Sequence, residues 1–214
     1  MTRAAWFTAI GLIVTVWLGT AVVYGSLPDR VPTHWNLRGQ VDAYGPKALA
    51  ALPMPMVMVG LLALFAALPW LSPAQFKLED FRSTYGFLVV VVLAMQGFIH
   101  TVILLGAMGY QFDMTKWLVA GTLFGVGLMG NVMGKVRRNF FVGFRVPWTL
   151  ASERVWNETH RLAAWLTFSV GLLGSALALM GYPLVALASL VLIVVIPTSF
   201  SLFRYKQLER RGEI

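Results

Sequence analysis

The sequence predicts an all-α integral membrane protein with six transmembrane helices and with both termini in the cytoplasm. Three observations support this fold class. Of the 214 residues, 58% are hydrophobic and only 12% are charged, and the mean hydropathy is +0.72. Soluble domains are about one-quarter charged, so this chain lacks the polar surface that water requires. Apolar runs of about 20 residues recur along the chain, and its basic residues cluster in alternate connections between them.

The apolar runs define the six predicted spans. Only the first run is flanked like a signal peptide, with Arg3 in front of it. It is too long for the apolar part of a typical signal peptide and lacks a clear small-x-small cleavage site, so we expect it to be retained as a span. The predicted spans are residues 4–24, 49–71, 85–110, 117–134, 162–181 and 184–203.

The basic residues predict the orientation of these spans. With the N-terminus inside, all but four of the 17 Lys and Arg residues lie on the cytoplasmic side, as the positive-inside rule requires. The net charge of +8 then reflects topology and attraction to anionic membrane lipids, and direct nucleic-acid binding is not expected. The four basic residues on the outer side are Arg30, Arg38, Lys47 and Lys116.

The connections divide the chain into three predicted modules. Residues 1–71 form an N-terminal two-span module with a long outer loop, and residues 72–134 form a central two-span module. Residues 135–214 form a C-terminal module with a long cytoplasmic loop and two spans. The chain has no cysteine, which excludes disulfides, thiolate catalysis and Cys-ligated metal centres.

Two polar residues inside the predicted spans, His100 and Asn131, are candidate functional groups because polar residues are costly in a membrane. The alternative is that each donates one hydrogen bond to a neighbouring helix. By the predicted topology His100 lies toward the outer leaflet. No acidic residue lies deep in a span, which argues against a proton- or cation-coupled carrier.

The fourth span contains two small-xxx-small pairs, Gly121/Gly125 and Gly130/Gly134. Such pairs allow two helix backbones to approach closely in lipid. We therefore expect this span to pack tightly against a neighbour, and the Gly121/Gly125 face is also a candidate docking face for another membrane complex.

The outer loop, VPTHWNLRGQVDAYGPK from Val31, carries prolines and turn residues that favour one fixed shape at the membrane surface. His34 and Asp42 are spaced to act as a base with its orienting carboxylate, or as two metal ligands. The loop lacks a second histidine and a nucleophile beyond Thr33 or Ser26, so we predict neither a metal site nor catalysis. Turn capping and ligand binding remain as alternatives.

The cytoplasmic loop, GKVRRNFFVGFRVPWTLASERVWNETHRL, surrounds its arginines with aromatic residues, which is typical of an interfacial segment. Thr149 or Ser152 is expected to cap a helix that continues into the fifth span. On that helix Glu153, Asn157 and His160 share one stripe beside Trp156, and Glu158 is spaced to pair with Arg154 and Arg161. The loop is either a structural turn, a docking surface for a cytoplasmic partner, or a sensor of the outer loop.

Both loops carry a resemblance to one family. The run PDRVPTHWNLRGQVDAYGPK is similar to the N-terminal module, of unknown function, in the SdpI family of bacterial membrane proteins. The run GKVRRNFFVGFRVPWTLASERVWNETHRL resembles the C-terminal motif of the same family, and the two motifs occur in family order. One position departs from the pattern, because Val146 stands where a threonine is frequent.

The resemblance implies a multi-pass protein of the bacterial cytoplasmic membrane that gives immunity to a secreted antimicrobial peptide and can hold a transcriptional repressor at the membrane. It implies no cofactor. It also marks residues in each loop without assigning their roles. The outer residues are Pro32, Thr33, His34, Asn36, Gly39, Asp42 and Lys47, to which we add Trp35 as a ligand-binding candidate; the inner ones are Asn139, Gly143, Arg145, Pro147, Trp148, Thr149, Leu150, Trp156, Thr159 and His160.

The leading hypothesis is a non-enzymatic immunity protein of the SdpI type. Its outer loop would engage an extracellular peptide or similar ligand, and the fourth span would relay binding to the inner loop and a cytoplasmic partner. The alternative is a membrane enzyme or transporter for a lipid or small hydrophobic substrate, in which His34 and His160 act as chemical groups and the spans enclose a polar cleft.

Overall fold

The computed structural model describes residues 1–36 and 40–214, and this part of the chain is mostly helical. Six of its helical segments are long and apolar enough to cross a membrane, which confirms the multi-pass fold class. Only 17–39% of each span is buried inside the protein, as expected where lipid covers the rest. The helices are α1 (Arg3–Tyr24), α2 (Lys47–Ala51), α3 (Pro53–Leu71), α4 (Arg82–Ala107), α5 (Met114–Met133), α6 (Pro147–Ala151), α7 (Glu153–Leu179), α8 (Pro183–Ala188) and α9 (Leu190–Arg210), with a 3-10 turn at Leu78–Phe81.

Side-chain caps mark where three of the spans, α1, α5 and α7, begin. The Thr2 hydroxyl accepts a hydrogen bond from the Ala5 amide at 3.2 Å, and the Asp113 carboxylate accepts one from the Lys116 amide at 2.9 Å. Ser152 caps α7, as the sequence predicts. The helix of the fifth span therefore begins at Glu153, before the predicted apolar span that starts at residue 162. Its first turns are polar and were for that reason not part of the predicted span.

The connection between α1 and α2 contains two strands that the sequence analysis did not predict. β1 (Arg30–Trp35) and β2 (Val41–Pro46) form an antiparallel hairpin, with Val31 opposite Gly45 and an irregular register around His34. We call residues 30–36 and 40–46 the hairpin. Val31 is fully buried in an apolar cluster with Leu27 and residues of α2 and α4, so the hairpin is fixed onto the bundle.

The tightest helix contact in the bundle joins α5 to α7. A Cβ added to Gly130 would lie 2.8 Å from the Thr167 carbonyl carbon, and one added to Gly171 would lie 2.8 Å from the Leu123 carbonyl oxygen. Close packing of the fourth span is thus confirmed, and Gly127 and Gly130 carry it because their missing side chains let the backbones meet.

The Gly121/Gly125 face of α5 lies against α4 and also lines an open groove of about 550 Å³. The side chains of Phe98 and Met95 on α4 occupy the space where Cβ atoms at these two glycines would project. The pair therefore serves packing within the chain, and an additional docking role of this face stays a prediction. A Cβ added to Gly134 would make only an ordinary contact, 3.7 Å from the Ala164 Cβ.

Candidate functional site

The hairpin brings two of the predicted outer-loop residues together. The His34 Nδ1 atom lies 2.5 Å from the Asp42 Oδ1 atom across the two strands. Both side chains are accessible, with 67% and 43% of their surface exposed. An imidazole and a carboxylate are thus held as one polar pair on the open surface of the hairpin.

The neighbouring predicted residues shape the hairpin. The Asn36 amide donates to the Gln40 carbonyl at 2.9 Å, and the Asn36 side-chain oxygen accepts from the Gln40 amide at 3.0 Å, so residues 36 and 40 are held together. Gly39 lies outside the described residues. Half-buried Trp35 lies against α4, where a Cβ added to Gly106 would be 3.5 Å from its ring.

Three further outer residues make contacts within the protein that hold the hairpin in place. The Lys47 ammonium donates to the Leu27 carbonyl at 3.3 Å and pairs with Asp29 at 3.4 Å, which ties the base of the hairpin to the end of α1. Thr33 packs against Gly45, whose added Cβ would lie 3.0 Å from the Thr33 methyl group. Pro32 is half-buried opposite Tyr44. In the described residues no three His, Asp or Glu side chains gather in the way that a metal site needs.

The second motif, residues 134–152, forms what we call the motif loop, and buried Asn139 organises it. The Asn139 Nδ2 group donates to the carbonyls of Arg137 and Val142, both at 2.9 Å. Its Oδ1 atom accepts from the amides of Phe141 at 2.8 Å and Val142 at 2.7 Å. All four hydrogen-bonding positions of this amide are used by the loop backbone, so the side chain has no capacity left for a ligand.

His160 joins the motif loop to α7. Its Nδ1 atom lies 2.8 Å from the Trp156 carbonyl, to which it donates, and its Nε2 atom accepts from the Phe144 amide at 3.0 Å. One nitrogen must carry a proton and the other must not, so the ring is neutral. Trp156 stacks on it at 4.0 Å between ring centroids and donates to the Val136 carbonyl at 2.8 Å.

Gly143 makes room for this histidine. Its φ angle is +107°, a conformation that favours glycine, and a Cβ at this position would overlap the His160 Nε2 atom. The glycine in the motif is therefore required twice, once for its backbone angle and once for the approach of the imidazole.

Three further motif residues also bond within the protein, whereas the buried Thr159 hydroxyl has no hydrogen-bond partner among the described residues. The Thr149 hydroxyl donates to the Phe144 carbonyl at 2.6 Å and accepts from the Val146 amide at 3.1 Å. Arg145 donates to the Phe140 carbonyl at 2.8 Å, although its side chain is largely exposed. The Trp148 indole donates to the Ser201 hydroxyl of α9 at 2.5 Å, and Pro147 begins α6.

The predicted stripe on α7 does not form a shared polar site. Glu153 is exposed, Asn157 is half-buried and His160 is fully buried. Glu158 bonds Arg154 at 3.2 Å as predicted, but its second partner is Arg204 of α9, whose Nη2 atom lies 3.0 Å away, instead of Arg161. The sequence could not show this because the pair joins two spans.

The two intramembrane polar residues differ in burial and in hydrogen bonding. His100 is buried, and its Nε2 atom lies 2.8 Å from the Thr20 hydroxyl oxygen on α1. Asn131 is exposed on α5, and its side chain has no hydrogen bond among the described residues, so the expected bond to a neighbouring helix is absent there. The sequence did not identify Thr20 as the partner of His100. The usable signal was that Thr20 is a polar residue in the first predicted span, close to its hairpin end, and His100 lies toward the same side in the third span.

These features define a class: a multi-pass membrane protein with an exposed polar hairpin at one end and an internally bonded loop at the other. The model of the SdpI/YfhL protein family matches residues 135–201, and that of a domain of unknown function, DUF1648, matches residues 11–59. The immunity protein SdpI of Bacillus subtilis (strain 168) is 26% identical over 205 residues, which cover 94% of this chain and 95% of that protein.

These matches confirm the resemblance to the SdpI family and support a place in a bacterial membrane. The segment that matches the SdpI/YfhL family contains nearly all of the motif loop, all of α7 and more than half of α9. The segment that matches DUF1648 contains more than half of α1, the hairpin and the start of α3. No solved structure matches the chain significantly.

Proposed function

We propose that this chain is an immunity protein of the SdpI type whose hairpin engages an extracellular antimicrobial peptide. The observation that carries the proposal is the exposed His34–Asp42 pair. It is a hydrogen-bonding group in an accessible position, whereas the polar atoms of Asn139 and His160 in the other motif are consumed by internal bonds.

The hairpin offers a specific way to bind a peptide. A two-stranded sheet leaves one backbone edge unpaired on each strand, and an extended peptide can add to such an edge. Among the described residues β1 packs against both α2 and α4, whereas β2 packs mainly against α2 apart from its partner strand, so β2 is the more open edge. Asp42, Ala43 and Tyr44 of β2 are all exposed. The peptide backbone would pair with β2, and the His34–Asp42 pair would bond its polar groups.

The proposal requires the hairpin to face outward and both termini to lie in the cytoplasm. The positive-inside distribution of Lys and Arg supports this orientation. Because the chain has no cysteine, single-cysteine variants test it without background labelling. In intact cells a membrane-impermeant maleimide should label Ala43→Cys but not Glu213→Cys, and both should react after lysis. The reverse pattern would overturn the orientation and with it the extracellular site.

A relay to a cytoplasmic partner, such as a transcriptional repressor, is the finer part of the proposal. Its support is the contact between α5 and α7, in which backbones meet at Gly127 and Gly171. A displacement of α5 at this contact would move α7 and the motif loop packed on it. The exposed Arg137 and Arg145 would then be the partner-facing groups.

The function is tested by challenging a sensitive bacterial host with the secreted peptides of the organism that encodes this chain. Cells that express the protein should survive a higher peptide dose than cells with the empty vector. Survival at the same dose in both strains would contradict an immunity function. A variant with Gln111→Ala, between α4 and α5, and Lys116→Ala, in the first turn of α5, is a control for changes outside the hairpin at the same end of the bundle and should protect like the wild type.

The alternative of a membrane enzyme or transporter has weaker support. His160, one of its two candidate chemical groups, has both ring nitrogens bonded inside the protein. The crevice that reaches His100 is lined mostly by apolar side chains and is not the polar cleft that this alternative expects.

A further inference from the structure

A crevice of about 270 Å³ lies between α1 and α4, toward the hairpin end of the bundle. At about 30 Å³ for each water molecule, it is much larger than one water requires. Four of its lining residues are exposed on the surface of the span, so the crevice opens toward the lipid. The residues that matter here are Thr15, Gly19, Thr20, His100, Thr101 and Leu105.

The hydrogen bonds at the inner wall determine which nitrogen of His100 carries the proton. The Thr20 hydroxyl oxygen lies 2.7 Å from the Val16 carbonyl and 2.8 Å from the His100 Nε2 atom. A hydroxyl has one proton, and a carbonyl can only accept. Both bonds form together only when Thr20 donates to Val16 and accepts from an Nε2–H group of His100. The Nδ1 atom of the neutral ring is then a bare acceptor.

This acceptor is unsatisfied within the part of the chain that the structure describes. His100 is 2% exposed, and its Nδ1 atom is buried without a hydrogen bond among the described residues. A buried polar atom that loses water and gains no partner destabilises the folded state, so buried acceptors are nearly always satisfied. The missing partner must be a hydrogen-bond donor, and the crevice gives a molecule access to the histidine.

The surroundings specify the chemistry of that donor. None of the crevice-lining residues is charged, so a phosphate or ammonium headgroup would find no counter-ion there. Thr20 lies about 6 Å along α1 from its end at Tyr24, and His100 about 10 Å along α4 from its end at Ala107. The site is therefore below the level of charged headgroups, at a depth that an uncharged hydroxyl can reach.

We propose that the α1/α4 crevice binds an uncharged, hydroxyl-bearing membrane lipid, whose hydroxyl donates to the Nδ1 atom of His100 while its acyl chain fills the apolar part. Such a lipid can enter directly from the bilayer, because the crevice opens toward the membrane. The site is separate from the peptide contact on the hairpin, so it stands or fails independently of the proposed immunity function.

The test uses the full chain in phosphatidylcholine nanodiscs and two photoreactive probes. One probe is a diacylglycerol with a diazirine and an alkyne in one acyl chain, and the other is the same lipid with its free hydroxyl methylated. One net hydrogen bond predicts about fivefold more labelling by the alcohol in the segments 15–23 and 100–108. Equal labelling of these segments by both probes would overturn the proposal, and this comparison needs no variant.

Three variants assign the effect to the Nδ1 acceptor. In His100→Leu, labelling by the alcohol probe should fall to the level of labelling by its methyl ether. In His100→Gln, whose amide oxygen is an acceptor, part of the difference in labelling between the two probes should return. The matched control is Thr8→Val, which removes a hydroxyl from an exposed position of α1 outside the crevice. This control should keep the wild-type ratio. A full wild-type ratio in His100→Leu would contradict the role of the histidine.

Discussion

The hairpin and the motif loop look equally rich in polar and aromatic residues in the sequence, but the structure uses them in opposite ways. In the motif loop the side chains of Asn139 and Thr149 are buried and bond the backbone around them, and buried His160 of α7 bonds the same loop. In the hairpin His34 and Asp42 bond each other at the surface. The number of polar and aromatic residues in a segment therefore does not show whether it binds a ligand or stabilises the fold. The burial of their side chains and the number of hydrogen bonds already made inside the protein distinguish the two.

The largest effect should come from filling the space at Gly143. Gly143→Ala adds a Cβ that overlaps the His160 ring, at a backbone angle that already disfavours a side chain. We expect a loss of at least about 3 kcal/mol in the free energy of unfolding, or failure to accumulate in the membrane. Denaturation of the purified protein in detergent, followed by tryptophan fluorescence, measures it.

Gly181→Ala separates the two causes in that prediction. Gly181 has a φ angle of +98°, but no atom lies within 4 Å of an added Cβ. This variant carries only the backbone cost, about 1–2 kcal/mol. If both variants lose the same stability, the close approach of His160 to Gly143 contributes nothing and the structural account of the motif glycine is wrong.

The next largest effect should follow removal of the Asn139 amide. Asn139→Ala leaves two backbone amides and two carbonyls of the motif loop without their partner, and we expect a loss of about 2–4 kcal/mol. The control is Asn131→Ala, at an exposed asparagine on α5, which should change stability by less than about 0.5 kcal/mol. Thermal unfolding in the same detergent compares the two, and similar losses would argue against a special role for Asn139.

A smaller effect is expected where the motif loop meets the last span. Trp148→Phe keeps an aromatic ring but removes the indole group that donates to Ser201, so about 1 kcal/mol should be lost. Trp165→Phe changes a tryptophan that is 71% exposed on α7 and should be nearly neutral. A neutral Trp148→Phe variant would show that the bond between α6 and α9 contributes no stability.

The membrane spans could be predicted from the sequence because length and hydropathy determine them, and the predicted boundaries are close for α1 and for α3. The start of α7 was also predicted, because Ser152 was one of two residues expected to cap a helix that continues into the fifth span, and it caps α7. The hairpin was expected as a fixed loop and not as strands, because its two six-residue strands contain proline, glycine and few alternating apolar residues.

The roles of individual site residues were less predictable. The approach of His34 and Asp42 followed from their types and spacing, but their exposure depends on how the hairpin lies on α2 and α4. The partners of His100 and Trp148, which are Thr20 and Ser201, lie on distant helices. Such pairs depend on the rotation of each helix about its axis, which hydropathy does not determine.

The smallest effect on stability should come from the hairpin pair. In the variant with both His34→Ala and Asp42→Ala, an exposed hydrogen-bonded pair is lost, and even exposed pairs of opposite charge contribute only about 0–1 kcal/mol. The unfolding midpoint in detergent should therefore stay close to that of the wild type. A loss as large as that of Asn139→Ala would place this pair among the fold determinants, and the contrast between the two motifs would disappear.

The most direct test of the account measures protection and membrane level together for this same double variant. Cells that express it at the wild-type level are challenged with the secreted peptides against which the wild-type protein protects. The account predicts that the variant accumulates normally and that the tolerated peptide dose falls at least about tenfold, toward that of cells without the protein. Normal accumulation with unchanged tolerance would contradict the claim that the exposed hairpin pair is the functional site.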